Sequence, residues 1–326
     1  MRRFVYLAAV AVGALVVWLG AHEKPPPPEE PSTDTKPAPP AAITALFAAG
    51  DRLVTGDEFG GATEWSIAEA KPGRRWIAHA GPIRRIVPQG DGLMTVSADG
   101  SVALFGADGA PRWRRRLVGR ALNDAVMMPD GALIVAADQG TVARIDPGHR
   151  WRAAGFHVKA AFAVTPLDDE TVASGGTDGR VARWQVADGL PAGEWFAHAG
   201  WVTAMARHGS ELVTVGTDGR LVVWRPPAEA ARLAIPAHEG AIVALAVEAD
   251  EALTAGEDGT ARLWRLDEGA AGVTLRPATP PLAVALADGR AFTAGREGAV
   301  SIWDVTDGHL IATLPDIAEG EAHDPR

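Results

Sequence analysis

Four copies of one set of reactive side chains are spread along this sequence. Each set has a histidine, a hydroxyl residue 16 or 17 positions later and an aspartate four positions after that. A hydroxyl, an imidazole and a carboxylate within hydrogen-bond distance form the pattern of nucleophilic catalysis, and histidine and aspartate are also metal ligands. The sets are His79, Thr95 and Asp99; His157, Ser174 and Asp178; His198, Thr214 and Asp218; and His238, Thr254 and Asp258.

The position of these sets argues against a shared catalytic or metal site. Each set falls in a different copy of a repeat of about 40 residues, so each copy supplies a single histidine. A catalytic triad or a zinc site needs its groups to converge within hydrogen-bond or ligand distance. We therefore interpret the sets as structural and predict no catalytic residue, no metal and no cofactor.

A glycine five residues before an aromatic or aliphatic residue marks each copy of the repeat. Successive markers are 39 or 40 residues apart. A period near 40 residues with several short strands is typical of a β-propeller blade. The seven pairs are Gly60 and Trp65, Gly100 and Phe105, Gly140 and Ile145, Gly179 and Trp184, Gly219 and Trp224, Gly259 and Trp264, and Gly298 and Trp303.

The copy that ends at Trp264 predicts a hairpin of two short strands. Leu253–Gly256 and Thr260–Leu266 contain apolar and Thr residues suited to strands, and Asp258-Gly259 between them is a two-residue turn signal. Apolar residues fall on both faces of the second strand. Such a sheet must be covered on both sides.

These motifs resemble those of the WD40 family of β-propellers. In that family a blade carries a histidine before its first strand, a serine or threonine on the second, an aspartate in the next turn and a tryptophan on the third, joined by hydrogen bonds. Trp184, Trp224 and Trp264 occupy the last position here, and Phe105 replaces it in the second blade. The resemblance covers residues 41–316. It implies an all-β, seven-bladed propeller that binds other proteins.

Three blades depart from this pattern. Blade 1 lacks the histidine and has Phe59 at the aspartate position; blade 3 has Val135 and Gln139 in place of the hydroxyl residue and the aspartate. Blade 7 also lacks the histidine and has Glu297 for the aspartate. We expect these blades to be less rigid. Blades 1 and 7 are each complete in contiguous sequence, so we expect the ring to close by packing between them.

The residues before the propeller predict a membrane segment and a spacer. Arg2 and Arg3 precede an apolar run over residues 4–20, which is at the short end of what spans a bilayer. The excess of basic residues before the run predicts a single pass with the propeller on the extracytoplasmic, periplasmic side. The alternative is a signal peptide that is cleaved, leaving a soluble periplasmic protein.

The predicted organisation has four parts. They are a signal anchor or signal peptide (1–21), a Pro-rich linker (22–40), the propeller (41–316) and an acidic tail (317–326). The linker lacks an apolar face and its prolines favour an extended chain, so we interpret it as a spacer; the alternative is a ligand for a proline-binding domain.

Charge is distributed unevenly in a chain whose net charge is −10. Residues 71–160 hold 14 Lys and Arg against 7 Asp and Glu. The basic residues Arg114, Arg115 and Arg116 fall on a predicted outermost strand, and Lys159 lies nearby in the sequence. They are candidates for binding an acidic protein or anionic lipid, or they serve to discourage edge-to-edge aggregation. Nucleic acid is not expected, because the chain is acidic overall.

Trp201 is the sharper candidate for partner binding. It lies in the link into the first strand of blade 5, where blades 2 and 6 have Pro82 and Ala241. A tryptophan exposed on the rim would suit an interface, where this residue type is enriched among hot spots. The alternative is that its ring folds back on Pro191 or Trp195.

These features predict a non-catalytic, membrane-tethered scaffold that docks partners of an envelope complex. The alternative is a propeller enzyme, or a ligand-binding or sensor protein, that uses the central channel. An enzyme would need polar side chains that converge at the channel mouth. Four of the innermost strands, ITALFA, VTAMAR, IVALAV and LAVALA, are dominated by Ala, Val, Leu and Ile, which disfavours an enzyme, although loops could still supply ligands.

Overall fold

The computed structural model describes residues 40–116, 120–147, 150–227 and 230–315. These residues form seven antiparallel sheets of four strands each, and in every sheet the strands are neighbours in chain order. The predicted seven-bladed β-propeller is therefore confirmed. The absence of crossovers means that each blade is a simple meander of consecutive strands.

The strands of the first four blades have the following bounds. Blade 1 consists of β1 (Ile43–Ala49), β2 (Arg52–Asp57), β3 (Gly61–Ser66) and β4 (Lys71–Ile77). Blade 2 consists of β5 (Ile83–Gln89), β6 (Gly92–Ser97), β7 (Ser101–Phe105) and β8 (Pro111–Arg116). Blade 3 consists of β9 (Leu122–Met127), β10 (Leu133–Ala137), β11 (Thr141–Ile145) and β12 (Trp151–Phe156), with a 3-10 turn over Asp138–Gly140. Blade 4 consists of β13 (Ala161–Pro166), β14 (Thr171–Gly176), β15 (Arg180–Gln185) and β16 (Pro191–Phe196).

The remaining three blades follow the same plan. Blade 5 consists of β17 (Val202–His208), β18 (Glu211–Gly216), β19 (Arg220–Trp224) and β20 (Ala231–Pro236). Blade 6 consists of β21 (Ile242–Glu248), β22 (Glu251–Gly256), β23 (Ala261–Arg265) and β24 (Ala270–Leu275). Blade 7 consists of β25 (Pro281–Ala287), β26 (Arg290–Gly295), β27 (Val300–Asp304) and β28 (Leu310–Leu314).

Burial within a blade explains why the sequence does not alternate between polar and apolar residues. All six residues of β18 are buried, because the faces of this strand pack against the neighbouring blades. The outermost strand β8 of blade 2 is exposed at Pro111, Arg112, Arg114 and Arg116. The apolar core therefore lies between blades, and the polar surface lies at the outer edge.

Packing between the first and last blades closes the ring. Ile43 and Trp65 of blade 1 share one buried cluster with Phe292 and Ile302 of blade 7, and no strand is exchanged between the two sheets. The prediction that these blades are contiguous and close by packing is confirmed. Phe292 is fully buried at this junction.

One edge of the ring contains both the links between blades and the turns between the second and third strands. The turn between the second and third strands of a blade lies against the link that enters the same blade, as shown by the Ala199 amide, which donates to the Asp218 carboxylate over 3.0 Å. We call this edge the link face. The marker glycine has its role here: Gly219 has a φ of 72°, and a side chain on it would collide with the carbonyl oxygen of His238.

A β-bulge near the start of every innermost strand turns one side chain towards the centre of the ring. In each case the register with the second strand skips one residue. A bulge bends its strand and re-aims a side chain. The seven skipped residues line one central cavity of about 130 Å³, and they are Thr44, Arg84, Asn123, Phe162, Thr203, Val243 and Leu282.

The predicted membrane segment (4–20) and acidic tail (317–326) lie outside the described residues, as does the linker up to residue 39. Within the ranges that the structure describes, no helix has both the length and the apolar character needed to cross a bilayer.

Candidate functional site

The reactive side chains of blade 5 form a single hydrogen-bonded network. His198 joins the Thr214 hydroxyl through Nε2 and the Asp218 carboxylate through Nδ1, each over 2.8 Å. Trp224 Nε1 donates to the same Thr214 oxygen over 3.0 Å. All contacts are satisfied if the imidazole is neutral, donates from Nδ1 to Asp218 and accepts at Nε2 from Thr214. The network ties the link, the second strand, the turn and the third strand together.

Blades 4 and 6 repeat this arrangement. His157 lies 2.8 Å from Ser174 and 3.0 Å from Asp178. The indole nitrogen of Trp184 donates to the same Ser174 hydroxyl. In blade 6 the corresponding residues His238, Thr254, Asp258 and Trp264 are joined by equivalent bonds of 2.8 to 3.0 Å.

Blade 2 adds one hydroxyl to the network. His79 Nε2 lies 2.8 Å from Thr95, but Nδ1 faces the Ser101 hydroxyl at 2.7 Å. Ser101 in turn donates to Asp99 over 2.6 Å. Phe105 stands at the tryptophan position and has no N–H group, so the threonine receives no bond from it. In this blade the histidine is therefore connected to Asp99 through the Ser101 hydroxyl.

The geometry makes these sets poor catalysts. Ser174 and Thr214 are fully buried and already accept a bond from an indole nitrogen, so a substrate cannot reach their oxygens. Across the described parts of the chain, no group of three His, Asp or Glu side chains is placed to hold a metal ion. What the networks can do chemically is to orient backbone segments.

Burial favours the neutral form of His79, His198 and His238. The pKa of His79 falls to about 4, because burial disfavours the charged imidazole more than the nearby Asp99 favours it. Burial likewise lowers the pKa of His198 and His238, against the opposing effect of Asp218 and Asp258. A neutral imidazole suits the donor and acceptor roles assigned above.

Blades 1 and 7 keep part of the network. Trp65 Nε1 donates to Thr55 over 3.0 Å, and Trp303 Nε1 donates to Thr293 over 2.9 Å. In blade 1 the carboxylate comes from Asp57. This residue lies two positions before Phe59, which occupies the aspartate position of the repeat. Asp57 accepts bonds from two amides of the turn and pairs with Arg75 at 3.2 Å.

Blade 3 has a different set of polar contacts. Arg120 donates to the Thr141 hydroxyl over 2.6 Å, where blade 2 uses His79 and Ser101. Asn123 donates both to Asp138 within the blade and to the Ala161 carbonyl of blade 4. The prediction that blades 1, 3 and 7 are less rigid stays a prediction, but each has its own polar links in place of the full network.

The bulge side chains also connect neighbouring blades. Thr44 donates to the Ile83 carbonyl over 2.7 Å, and Thr203 donates to the Ile242 carbonyl over 2.6 Å. Asn123 does the same to Ala161 over 2.9 Å. Blades 1, 3 and 5 are thereby joined to blades 2, 4 and 6 at the channel wall.

The channel wall is polar at blades 2 and 3, unlike the four aliphatic strands compared in the sequence. Strands β5, IRRIVPQ, and β9, LNDAVM, place Arg84, Arg85, Asn123 and Asp124 in the channel wall. The four strands compared in the sequence did not include these two. The paired polar residues after the first apolar position of each strand are the signal that could have located the polar wall.

Asp124 is the most buried of these channel residues. It is 6% exposed, and burial raises its pKa; Arg85, 3.6 Å away, and the amides of Val164 and Ala125 oppose that shift. The Val164 amide belongs to blade 4, so Asp124 is another contact between blades 3 and 4. Both of its oxygens already have partners within the protein.

Trp201 lies on the link face with its ring half exposed. It is 49% exposed, and its ring stacks on that of Phe162 with centroids 5.6 Å apart and planes at 30°. Trp195, one of the two residues considered as a contact for the Trp201 ring, has Trp224 as its aromatic partner. The Trp201 amide donates to the Thr217 hydroxyl over 2.9 Å, which fixes the link that carries it.

The predicted basic residues have different surroundings. Arg114 forms an ion pair with Asp99 at 2.8 Å and so belongs to the surroundings of the blade 2 network. Arg115 stacks on Trp113 with its guanidinium 4.8 Å from the ring centre. Arg116 is exposed on β8, and Lys159 is exposed on the link before blade 4. The three arginines share strand β8 but have different surroundings, and Lys159 lies on another element.

Replacing Thr214 by valine is expected to destabilise the protein more than replacing Thr55 by valine. The first change leaves the indole of Trp224 and Nε2 of His198 without a partner, whereas the second affects only Trp65. A buried donor or acceptor without a partner costs about 1–3 kcal/mol. Urea unfolding of both variants measures the difference. Equal losses would contradict the extra role of the histidine.

The free energy of unfolding is expected to fall as the pH falls from about 6.5 to about 4. In that window the folded His79 binds fewer protons than it does in the unfolded chain, because burial lowers its pKa to about 4. The loss from this residue is about 3 kcal/mol. Urea unfolding at several pH values on wild type and His79→Gln isolates it, since other groups titrate equally in both. An identical pH dependence in the two proteins would contradict the assignment.

Comparisons with known proteins agree with the architecture. A family model described as outer membrane protein assembly factor BamB matches residues 49–194, and a model described as WD domain, G-beta repeat matches residues 232–265. No curated protein matches the sequence. The crystal structure of the computationally designed Ika8 protein is similar with a TM-score of 0.68, at 21% identity over 85% of this chain and 89% of that one. At this identity the likeness concerns the fold alone.

Three observations of different kinds support one family of propellers. The chain closes seven four-stranded blades into a ring, three blades contain the complete His, Ser/Thr, Asp and Trp network, and a WD-repeat model matches one of those blades. The BamB model matches a second stretch of the same ring. Together these findings support a WD40-type propeller family for this chain.

Proposed function

We propose that this protein is a non-catalytic docking platform whose link face binds other proteins of an envelope complex. A role as a propeller interaction domain is consistent with the WD-repeat and BamB-like matches. The observation that carries the proposal is the half-exposed ring of Trp201, held on a fixed link beside the channel.

Trp201 has the properties of an interface anchor. Its backbone is fixed by Thr217 and its ring rests on Phe162, so little freedom is lost when a partner covers the exposed half. Tryptophan is enriched among the residues that contribute most to protein interfaces. A rigid aromatic group that leaves half its surface in water is a suitable anchor for a partner.

Other exposed apolar residues share the link face with Trp201. They lie in the turns between second and third strands, at the ends of outermost strands or in the links between blades. Each adds exposed apolar surface to the face that carries Trp201. They are Phe59, Ile77, Val158 and Phe196.

The proposed location is the periplasmic side of a membrane. The support is the apolar run over residues 4–20 after Arg2 and Arg3, together with the match to a model named for an outer membrane protein assembly factor. Cleavage of that run would instead give a soluble periplasmic protein. Either form would present the link face to other envelope proteins.

The second candidate is an enzyme or a ligand-binding or sensor protein that uses the central channel. The polar wall formed by Arg84, Asn123 and Asp124 favours it. Against catalysis, the Asp124 oxygens already face Arg85 and backbone amides, and the Thr44 and Thr203 hydroxyls already donate to carbonyl groups. Binding without bond chemistry is the better account of such a wall.

Substituting Trp201 by alanine is expected to reduce crosslinking to partner proteins severalfold, because the variant lacks the anchor. The full-length protein would be crosslinked in intact spheroplasts with a membrane-impermeant reagent and then purified with its partners. Leu190→Ala is the matched control, since Leu190 is also exposed but lies in a turn on the opposite edge of the ring. Partner yield relative to propeller yield is the measurement.

Two results would contradict this proposal. Equal partner yield from wild type and Trp201→Ala would show that Trp201 does not anchor a partner on the link face. Crosslinking that occurs only after the spheroplasts are lysed would contradict the periplasmic location. The charge reversal Arg116→Glu tests the basic strand β8 without breaking contacts inside the blade. Reversing Arg114 and Arg115 as well would break such contacts, because both already have partners within blade 2.

A further inference from the structure

The seven bulge side chains give the channel mouth a polar part and an apolar part. The first three blades contribute polar or charged groups, whereas three of the last four contribute apolar ones. The polar residues are Thr44, Arg84 and Asn123, and the apolar residues are Phe162, Val243 and Leu282. The mouth can therefore meet a ligand that is charged at one end and apolar at the other.

Arg84 provides an unneutralised positive charge in the polar part. Its side chain is exposed, and no described residue forms a side-chain hydrogen bond or an ion pair with it. The neighbouring Arg85 differs, because its guanidinium lies 3.6 Å from the Asp124 carboxylate. A guanidinium with free donors in a concave wall is suited to bind a carboxylate in a two-pronged manner.

The charged groups around the mouth are of both signs. Asp138, on the turn of blade 3, accepts a bond from Asn123, and Lys159 extends from the link before blade 4. The exposed acidic residues Glu239 and Glu257 lie on the link and turn of blade 6, on another sector of the ring. An anionic group is therefore attracted to the side formed by blades 2 to 4.

An aromatic surface lies next to this positive region. Phe162 lines the channel and Trp201 stacks on it at 5.6 Å, with half of the indole exposed to solvent. The cavity of about 130 Å³ is of the order of one that holds a benzene ring, about 150 Å³. One side chain of a partner fits such a space, while the rest of the partner stays on the link face.

We propose that the channel mouth binds an acidic segment of a partner protein, with one carboxylate held by Arg84 and an adjacent apolar side chain packed on the Phe162 and Trp201 rings. This inference rests on the proposed docking function and names the chemistry of the partner. A small carboxylate alone would leave the aromatic surface uncovered. A nucleic acid is disfavoured by the acidic charge of the chain.

A random peptide library displayed on phage supplies the probe, because the natural partner is not needed for it. The library is selected on the immobilised full-length protein, and the selected peptides are then measured by fluorescence anisotropy against three proteins. These are the wild type, Arg84→Gln and Arg112→Gln. Arg112 is the matched control, since it is an exposed arginine of the same blade but lies on the outermost strand, where its partner is the exposed Asp91.

The selected peptides are expected to be enriched in Asp or Glu next to an aromatic or aliphatic residue. Arg84→Gln is expected to weaken their binding about tenfold, which corresponds to about 1.4 kcal/mol, and Arg112→Gln is expected to leave it unchanged. Higher salt should weaken wild-type binding more than Arg84→Gln binding. A selection without acidic enrichment, a failure to select any peptide, or equal binding to Arg84→Gln would overturn the proposal.

Partner crosslinking separates this inference from the function on which it rests. If Trp201→Ala loses partners and Arg84→Gln retains them, docking stands and the carboxylate contact is wrong. If both variants retain partners, both proposals are wrong. Loss of partners in both variants, with Arg112→Gln behaving as wild type, supports both.

Discussion

Each blade of this protein has two apolar faces, and only a neighbouring blade can cover them. A four-stranded sheet whose strands have buried residues on both faces, as β18 does, cannot cover those faces by itself. The ring satisfies this requirement for all seven sheets at once. Its closure depends on the cluster that Phe292 and Trp65 share between the last and first blades, because no strand is exchanged there.

Polar networks add specificity to this apolar ring without forming reactive sites. The network built on His198 joins four segments of one blade, and the bulge residues Thr44, Asn123 and Thr203 join one blade to the next. Because the networks differ among blades, the ring is not symmetric. Arg84 and Phe162 occupy the same position of different blades, and this difference gives the channel mouth its two characters.

Much of the fold could be predicted from the sequence, because the marker glycines and turn aspartates repeat at a fixed period. The blade count, the contiguous first and last blades and the membership of each network follow from that repeat. Asp57 could not be located in this way, since it supports the blade 1 turn from two residues earlier than the repeat requires. The contact between Trp201 and Phe162, 39 residues apart in sequence, depends on how two blades meet. The direction of the Arg84 side chain, towards the channel, could not be predicted either. It follows from a bulge in β5 that the residue pattern does not show.

The central claim is that the ring is one cooperative unit held by burial between blades, and Phe292→Ala tests it most directly. Equilibrium unfolding in urea would be followed by both circular dichroism and tryptophan fluorescence on the full-length protein and the variant. The account predicts a single transition that coincides for the two probes, and a loss of about 3–5 kcal/mol in the variant. Separate transitions for the two probes in the wild type, or an unchanged midpoint in Phe292→Ala, would contradict it.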